Sequence, residues 1–256
     1  MITTTPVFYY GYTVDATNYY INIDEGSGDV AVELNQGTYS AENFAVEVAR
    51  AMSEFGAQDY SCDFDRDTRL FTISATSNFD LLISSGANAG LSAYSLLGFS
   101  GSDQTSTNSY ESGTATGYEY IPQFPLQNYV GSDDWKEYAQ ANINESASGV
   151  SEIYSVGLRS FVEFDIMFAT DINQGANGFI TTNASGVDDL RSFMQYCITK
   201  GDIEFMPDKT DRATYQTLIL EKTAASSTGT GYKLNEMYSK GLPSYFETGK
   251  LKFRVR

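Results

Sequence analysis

"GTYSAENFAVEVARAMSEFGAQDYSCDFDRDTRLFTIS", from Gly37 to Ser74, starts as a capped amphipathic helix and ends as a hairpin. Ser40 is a natural N-cap, and Glu42 lies in the first turn, where the helix dipole favours an anion. Phe44, Ala45, Val48, Met52 and Phe55 trace one apolar stripe, which predicts a helix from about Ser40 to Phe55. Gly56 is the expected stop. Tyr60, Cys62 and Phe64 then alternate with polar residues, "DRDT" reads as a turn, and "RLFTIS" returns as a second strand. Asp63, Asp65 and Asp67 have the spacing that opens a calcium loop. Such a loop needs Gly at its sixth place and Glu at its twelfth, and here those places hold Thr68 and Ser74. The triplet is therefore read as a turn whose aspartates bond their own backbone, and no metal site is expected.

Strands are expected to surround this unit. Tyr19 to Ile23 alternates weakly. "GDVAVEL" places Val30, Val32 and Leu34 on one face, with "DEGSGD" as the turn between the two. "FDLLIS" (Phe79 to Ser84) reads as a third short strand, and "AYSLLGFS" closes the unit with Leu96, Leu97 and Phe99 in the core. Ser100 to Gly117 is rich in Ser, Thr and Gly and reads as an exposed loop or a long arm. Aromatic residues with Pro122 and Pro125 follow, consistent with an extended crossover.

A second unit begins near Glu152. "SFVEFDIMFAT" predicts a strand with Phe161, Glu163 and Asp165 on one face and Val162, Phe164, Ile166 and Phe168 on the other. "INQGANGF" reads as a turn region. Leu190, Phe193, Met194 and Cys197 stand at helical spacing, which predicts a helix over roughly Val187 to Thr199 with Gly201 beyond its end. "DIEFMP" is a strand closed by Pro207, "DKTD" a turn, "TYQTLILE" another strand and "SSTGTG" a loop. "KLKFRVR" alternates strictly. The expected fold is α+β: two β-rich units, barrel-like or sandwich-like, each with one amphipathic helix. The expected organisation is an acidic module at 1–100, an extended polar and aromatic arm at 101–150, and a β domain at 151–256.

Composition narrows function. Net charge is −17 over 256 residues. It is uneven: Met1 to Val130 carries 3 basic and 16 acidic residues, and Gly131 to Arg256 carries 13 and 17. An acidic surface repels phosphates, which argues against a sequence reader of nucleic acid. The chain has no histidine. That removes Ser-His-Asp and Cys-His catalysis, His-ligated zinc and the commonest general base. No stretch approaches the ~20 apolar residues of a membrane span, and the first residues lack the pattern of a signal peptide. Cys62 and Cys197 share no metal spacing and are expected to be free thiols, as in a reducing cytosol. The Gly-rich stretches lack phosphate-loop spacing, so no cofactor is expected. In "GDIEFMPDKTD", Glu204, Asp208 and Asp211 near Lys209 could serve a carboxylate-based glycosidase, but a strand, a Pro stop and a polar turn of solvated charges account for them better. The chain is not expected to be an enzyme.

Two groups are candidates for contact between subunits. Tyr9, Tyr10 and Tyr12, with Trp135 further on, are aromatic residues of the kind used for protein or sugar recognition, although tyrosines also serve ordinary strand packing. Lys252, Arg254 and Arg256 lie on one face of the last strand, opposite in sign to the acidic first half, which suggests head-to-tail contact between copies.

Two patterns look familiar. "GTYSAENFAVEVARAM", "DYSCDFDRDTRLFTIS", "FDLLIS" and "SLLGFS" together resemble a small module of tailed-bacteriophage virion structural proteins, over about residues 28 to 100. "LRSFVEFDIMF", "DDLRSFMQYCITKGDIEFMPDKTDRATYQTLILE" and "LKFRVR", residues 158 to 256, resemble the β-barrel-plus-helix domain of phage tail ring proteins, meaning tail-tube-like and distal tail proteins. The resemblance implies a virion component made in the cytoplasm of a bacterial host. It implies homomeric rings, usually sixfold, which contact neighbouring tail proteins and surround a channel through which DNA passes without sticking. The stretch from Ser100 to Gln140 departs from the simple tube pattern and favours an adaptor between tube and baseplate. A head-to-tail connector, tail-completion or minor capsid protein is the alternative in the same class. A receptor- or carbohydrate-binding module at the tail tip is the alternative outside it.

Overall fold

The computed structural model describes residues 6–122, 126–130, 138–145, 151–167, 169, 173–174, 180–181, 190–199, 201–221, 235–242 and 245–256. In the first half the strands are β1 (Val7–Tyr10), β2 (Tyr12–Val14), β3 (Tyr20–Asp24), β4 (Asp29–Glu33) and β5 (Gly37–Tyr39). After helix α1 (Ala41–Phe55) come β6 (Tyr60–Asp65), β7 (Leu70–Leu81), β8 (Gln104–Glu111), β9 (Tyr118–Tyr120) and β10 (Gln127–Val130). The rest holds β11 (Tyr138–Glu145), β12 (Ser151–Arg159), β13 (Phe161–Asp165), the short pair β14 (Asn173–Gln174) and β15 (Ile180–Thr181), helix α2 (Leu190–Thr199), β16 (Ile203–Met206), β17 (Gln216–Leu220), β18 (Asn235–Glu236), β19 (Phe246–Glu247) and β20 (Lys250–Val255). The fold is α+β and β-rich, with two α-helices among the described residues.

The helix–hairpin unit forms as its local sequence dictates. Ser40 accepts the Asn43 N–H at 3.2 Å and caps α1. Phe44, Ala45, Val48 and Met52 are buried on the five-stranded sheet, joined by Ala51. Phe55 breaks the expected stripe: it is 45% exposed at the helix end. Gly56 ends the helix for a different reason than expected. Its backbone is extended (φ −80°, ψ 176°), not left-handed, and its N–H donates to the Met52 carbonyl. A Cβ there would lie 2.8 Å from that carbonyl oxygen, so close approach is what requires glycine.

β7 is one strand of twelve residues that absorbs both "RLFTIS" and the start of "FDLLIS". β6 pairs with its first half (Phe64 opposite Phe71) and β3 with its end (Ile23 opposite Leu81). β8 runs along its other edge, with Tyr110 opposite Ile73. The expected loop at Ser100 to Gly117 is therefore in large part a strand. Its side chains are mostly exposed and polar, so no apolar alternation marks it, while Tyr110 alone reaches the core.

The second sheet has seven strands in the order β10-β13-β20-β17-β16-β1-β9. Leu190, Phe193, Met194 and Cys197 of α2 bury against its core, as their spacing predicts. β1 joins this sheet, pairing Val7 with Met206 and Phe8 with Tyr120. Strand alternation then divides it between two cores. Val7 and Tyr9 belong to the core under α1, with Met206; Phe8 and Tyr10 belong to the core under α2, with Phe205 and Ile203. Phe8 is ringed by Phe193, Phe205 and Phe164 at centroid distances of 4.8–5.6 Å.

Both cysteines are free, Cys62 partly buried under the first sheet and Cys197 buried on α2. Among the described residues no helix is long and apolar enough to cross a membrane.

Candidate functional site

Where the two cores meet, the strand alternation of β16 turns Glu204 toward the first unit, between the core residues Ile203 and Phe205, which face the second. Glu204 is fully buried. One carboxylate oxygen accepts the Glu42 N–H at 3.1 Å, at the N-terminal turn of α1, and the other faces the Arg66 guanidinium at 3.3 Å. Arg66 comes from the hairpin tip. It also pairs with the Glu42 carboxylate at 3.0 Å and lies over the Tyr215 ring, 3.6 Å from its centroid. Its backbone carbonyl accepts the Tyr9 hydroxyl at 2.9 Å and an Arg212 N–H at 3.1 Å. Arg212 also donates to the Tyr9 hydroxyl and meets Glu119 of β9 at 3.2 Å. Burial holds the Glu204 carboxyl above its usual range, opposed by the charge of Arg66.

This junction was only half legible. The aspartates of the tip are exposed, and Asp65 accepts the Asp67 and Thr68 N–H groups at 2.7 and 3.2 Å, the expected turn. Those two bonds hold its carboxyl below the usual range. Among the described residues no cluster could hold a metal ion. What the residue pattern did not show is that Arg66, inside the same turn, docks the hairpin onto the other sheet. Nothing in a local window separates a solvated turn arginine from one that enters a junction; the buried Glu204, a charge inside an apolar strand, was the available signal.

The other acidic candidates are engaged separately. Asp208 accepts the Thr210 N–H at 2.9 Å and its hydroxyl at 2.7 Å, capping its own turn, while Glu204 is held by Arg66 and Glu42. Tyr9, Tyr10 and Tyr12, expected at a subunit interface, lie in the interior at 2%, 3% and 1% exposure. The alternation of β1 and the start of β2 points them into the two cores, so they are not available to a neighbouring copy. Trp135 and Phe168 lie outside the described residues. On β20, Lys250 pairs with Glu163 at 2.6 Å, Lys252 faces the same carboxylate at 3.9 Å and the Phe161 ring, and Arg256 meets Asp202 at 3.1 Å. Arg254 lies between Phe161 and Ile219 on the neighbouring strands. The basic face thus meets acids of its own sheet first.

Beside the junction a cleft of about 360 Å³ opens between residues 95–100 and 114–118, with Gly11 and Tyr12 at its back. Gly98 (φ +80°) makes this geometry possible: a Cβ there would stand 2.1 Å from the Thr114 carbonyl oxygen. The Thr116 hydroxyl is engaged with the Tyr12 hydroxyl and the Arg69 carbonyl. No protein-family model matches the chain, and no curated protein matches it.

Proposed function

We propose that the chain is a non-enzymatic structural protein of a tailed-phage virion, a subunit of a homomeric ring in the tail that adapts the tube to the distal tail or baseplate. The observation that carries this reading is β1. By serving both cores it makes the molecule a single β-rich block, and among the described residues its two large sheets end in strands paired on one side only: β4, β6 and β8 in one, β9 and β10 in the other. Such edges are templates for strand pairing between copies. Each core with its sheet would be a barrel-like or sandwich-like unit of the kind the sequence resemblance implies. The acidic first half would face the channel and repel passing DNA.

Lys252, Arg254 and Arg256 remain the proposed contact to the acidic surface of the next copy. Lys250 and Arg256 keep 62% and 53% of their side chains exposed. Their partners Glu163 and Asp202 are buried, at 8% and 6% side-chain exposure, so the cations would meet a neighbouring copy with their exposed faces while keeping those carboxylates. A connector or tail-completion protein on the head side would use the same assembly physics.

Negative-stain microscopy with light scattering tests the proposal. Rings of one closed order are expected, and the double charge reversal Lys252→Glu, Arg254→Glu should leave folded monomers. A wild-type chain that stays monomeric at high concentration would overturn the ring, and rings unaffected by the reversal would overturn the role of β20.

A further inference from the structure

The cleft beside the junction is lined by no ionised side chain, in a chain of net charge −17. The field of the protein disfavours an anionic ligand, and a lining without carboxylates offers nothing to a cation. A ligand suited to it would be neutral. One wall is the Tyr118 ring, 52% exposed and backed by Tyr10 at 5.6 Å between centroids. At the rim stand the hydroxyls of Ser95, Ser100 and Thr114, which make no hydrogen bond among the described residues. These residues are exposed, so a ligand with hydroxyls of its own can bond to them, where an aliphatic one would only displace their water. The volume of about 360 Å³ lies at the lower end of small-ligand sites, about 300–1,000 Å³, and such sites favour junctions between units.

We propose that this cleft binds a neutral saccharide of one or two rings. One C–H face of the sugar lies on the Tyr118 ring, and its hydroxyls exchange hydrogen bonds with the rim. An aromatic face under the apolar side of a ring, edged by small hydroxyl groups, matches the two-sided character of a pyranose, which has no charge to offer and both a C–H face and an O–H edge. The inference is independent of the ring assembly, because every residue it uses belongs to one copy.

The test is saturation-transfer NMR on the full chain with glucose, galactose, N-acetylglucosamine, maltose and lactose, and with adenosine as a flat, uncharged non-sugar. Binding of at least one saccharide is expected, with Tyr118→Phe retaining it and Tyr118→Ala weakening it about tenfold or more. Ala115→Trp, an exposed substitution at the cleft wall, should block binding while Tyr118 stays in place. Near-UV circular dichroism checks that each variant is folded. Binding of none of the five sugars, binding of adenosine alone, or sugar binding unchanged in both Tyr118→Ala and Ala115→Trp would overturn the proposal.

Discussion

At Glu204 a carboxylate enclosed by protein meets a guanidinium that is itself 14% exposed, and the substitutions that separate them are not equivalent. Arg66→Ala leaves a buried carboxylate with no cation, which costs about 3–5 kcal/mol. Glu204→Gln leaves Arg66 with the Glu42 carboxylate and the Tyr215 ring, and a loss of about 1–3 kcal/mol is expected. The two also differ in pH dependence. The folded pKa of Glu204 is raised, by burial first, and Arg66 opposes that rise. Removing Arg66 raises it further. A carboxyl whose folded pKa exceeds its unfolded value contributes stability that is present below the unfolded value and lost as pH rises through the folded one. The deficit of Arg66→Ala should therefore grow between about pH 5 and about pH 8, read as the shift in urea midpoint. An equal deficit at both pH values would remove Glu204 as its cause, and Glu204→Gln in the Arg66→Ala background should flatten the curve.

Elements that close on themselves were readable, and elements completed by distant partners were not. α1 and the β6–β7 hairpin carry their caps, turn and alternation within one window, so Ser40, Phe44, Phe64 and Phe71 fall where their spacing puts them. Helix α2 was readable for the same reason. β8 presents mainly Ser, Thr and Asn to solvent and becomes a strand only because β7 offers an edge, which no local pattern records. The long β7 reads as two strands because Thr76, Ser77 and Asn78 in its middle are polar and exposed. Leu97 and Phe99 announce the turn at Gly98 by their apolar character, and both are buried, but nothing in the local pattern marks the glycine between them as indispensable. At this scale Gly98→Ala is the sharp test. A positive φ and a 2.1 Å contact with Thr114 act together, and a loss of at least about 2 kcal/mol is expected in thermal or urea unfolding. A neutral outcome would mean that residues 97–99 shift freely, and the cleft with them.

At the scale of the molecule, the question is whether two cores make two folding units. Separate α-helices and separate sheets suggest so. The strand they share argues otherwise, since neither core is complete without alternate residues of Val7–Tyr10. Phe8→Ala removes a fully buried ring from the core under α2 and should cost about 3–5 kcal/mol. If the shared strand couples the units, urea unfolding followed by far-ultraviolet dichroism and by tyrosine fluorescence gives one coincident transition, and Phe8→Ala moves it as a whole. A split transition, with α1 and its sheet outlasting the rest, would show that the junction is a contact between independent bodies.

The placement of β1 also sets a schedule. Val7–Tyr10 is synthesised well before one of its two partner strands, β16, which begins only at Ile203. At about 5–20 residues per second, roughly 10–40 s pass before that partner exists. Through that interval the face of β1 that carries Val7 and Tyr9 already has its core under α1, and β9 can hold one edge, but the face that carries Phe8 and Tyr10 still lacks Ile203 and Phe205. Until then the β16 edge of β1 stays open on an unfinished chain, and the ribosome-bound stage is when the molecule is most exposed to chaperones and to its own unfinished copies.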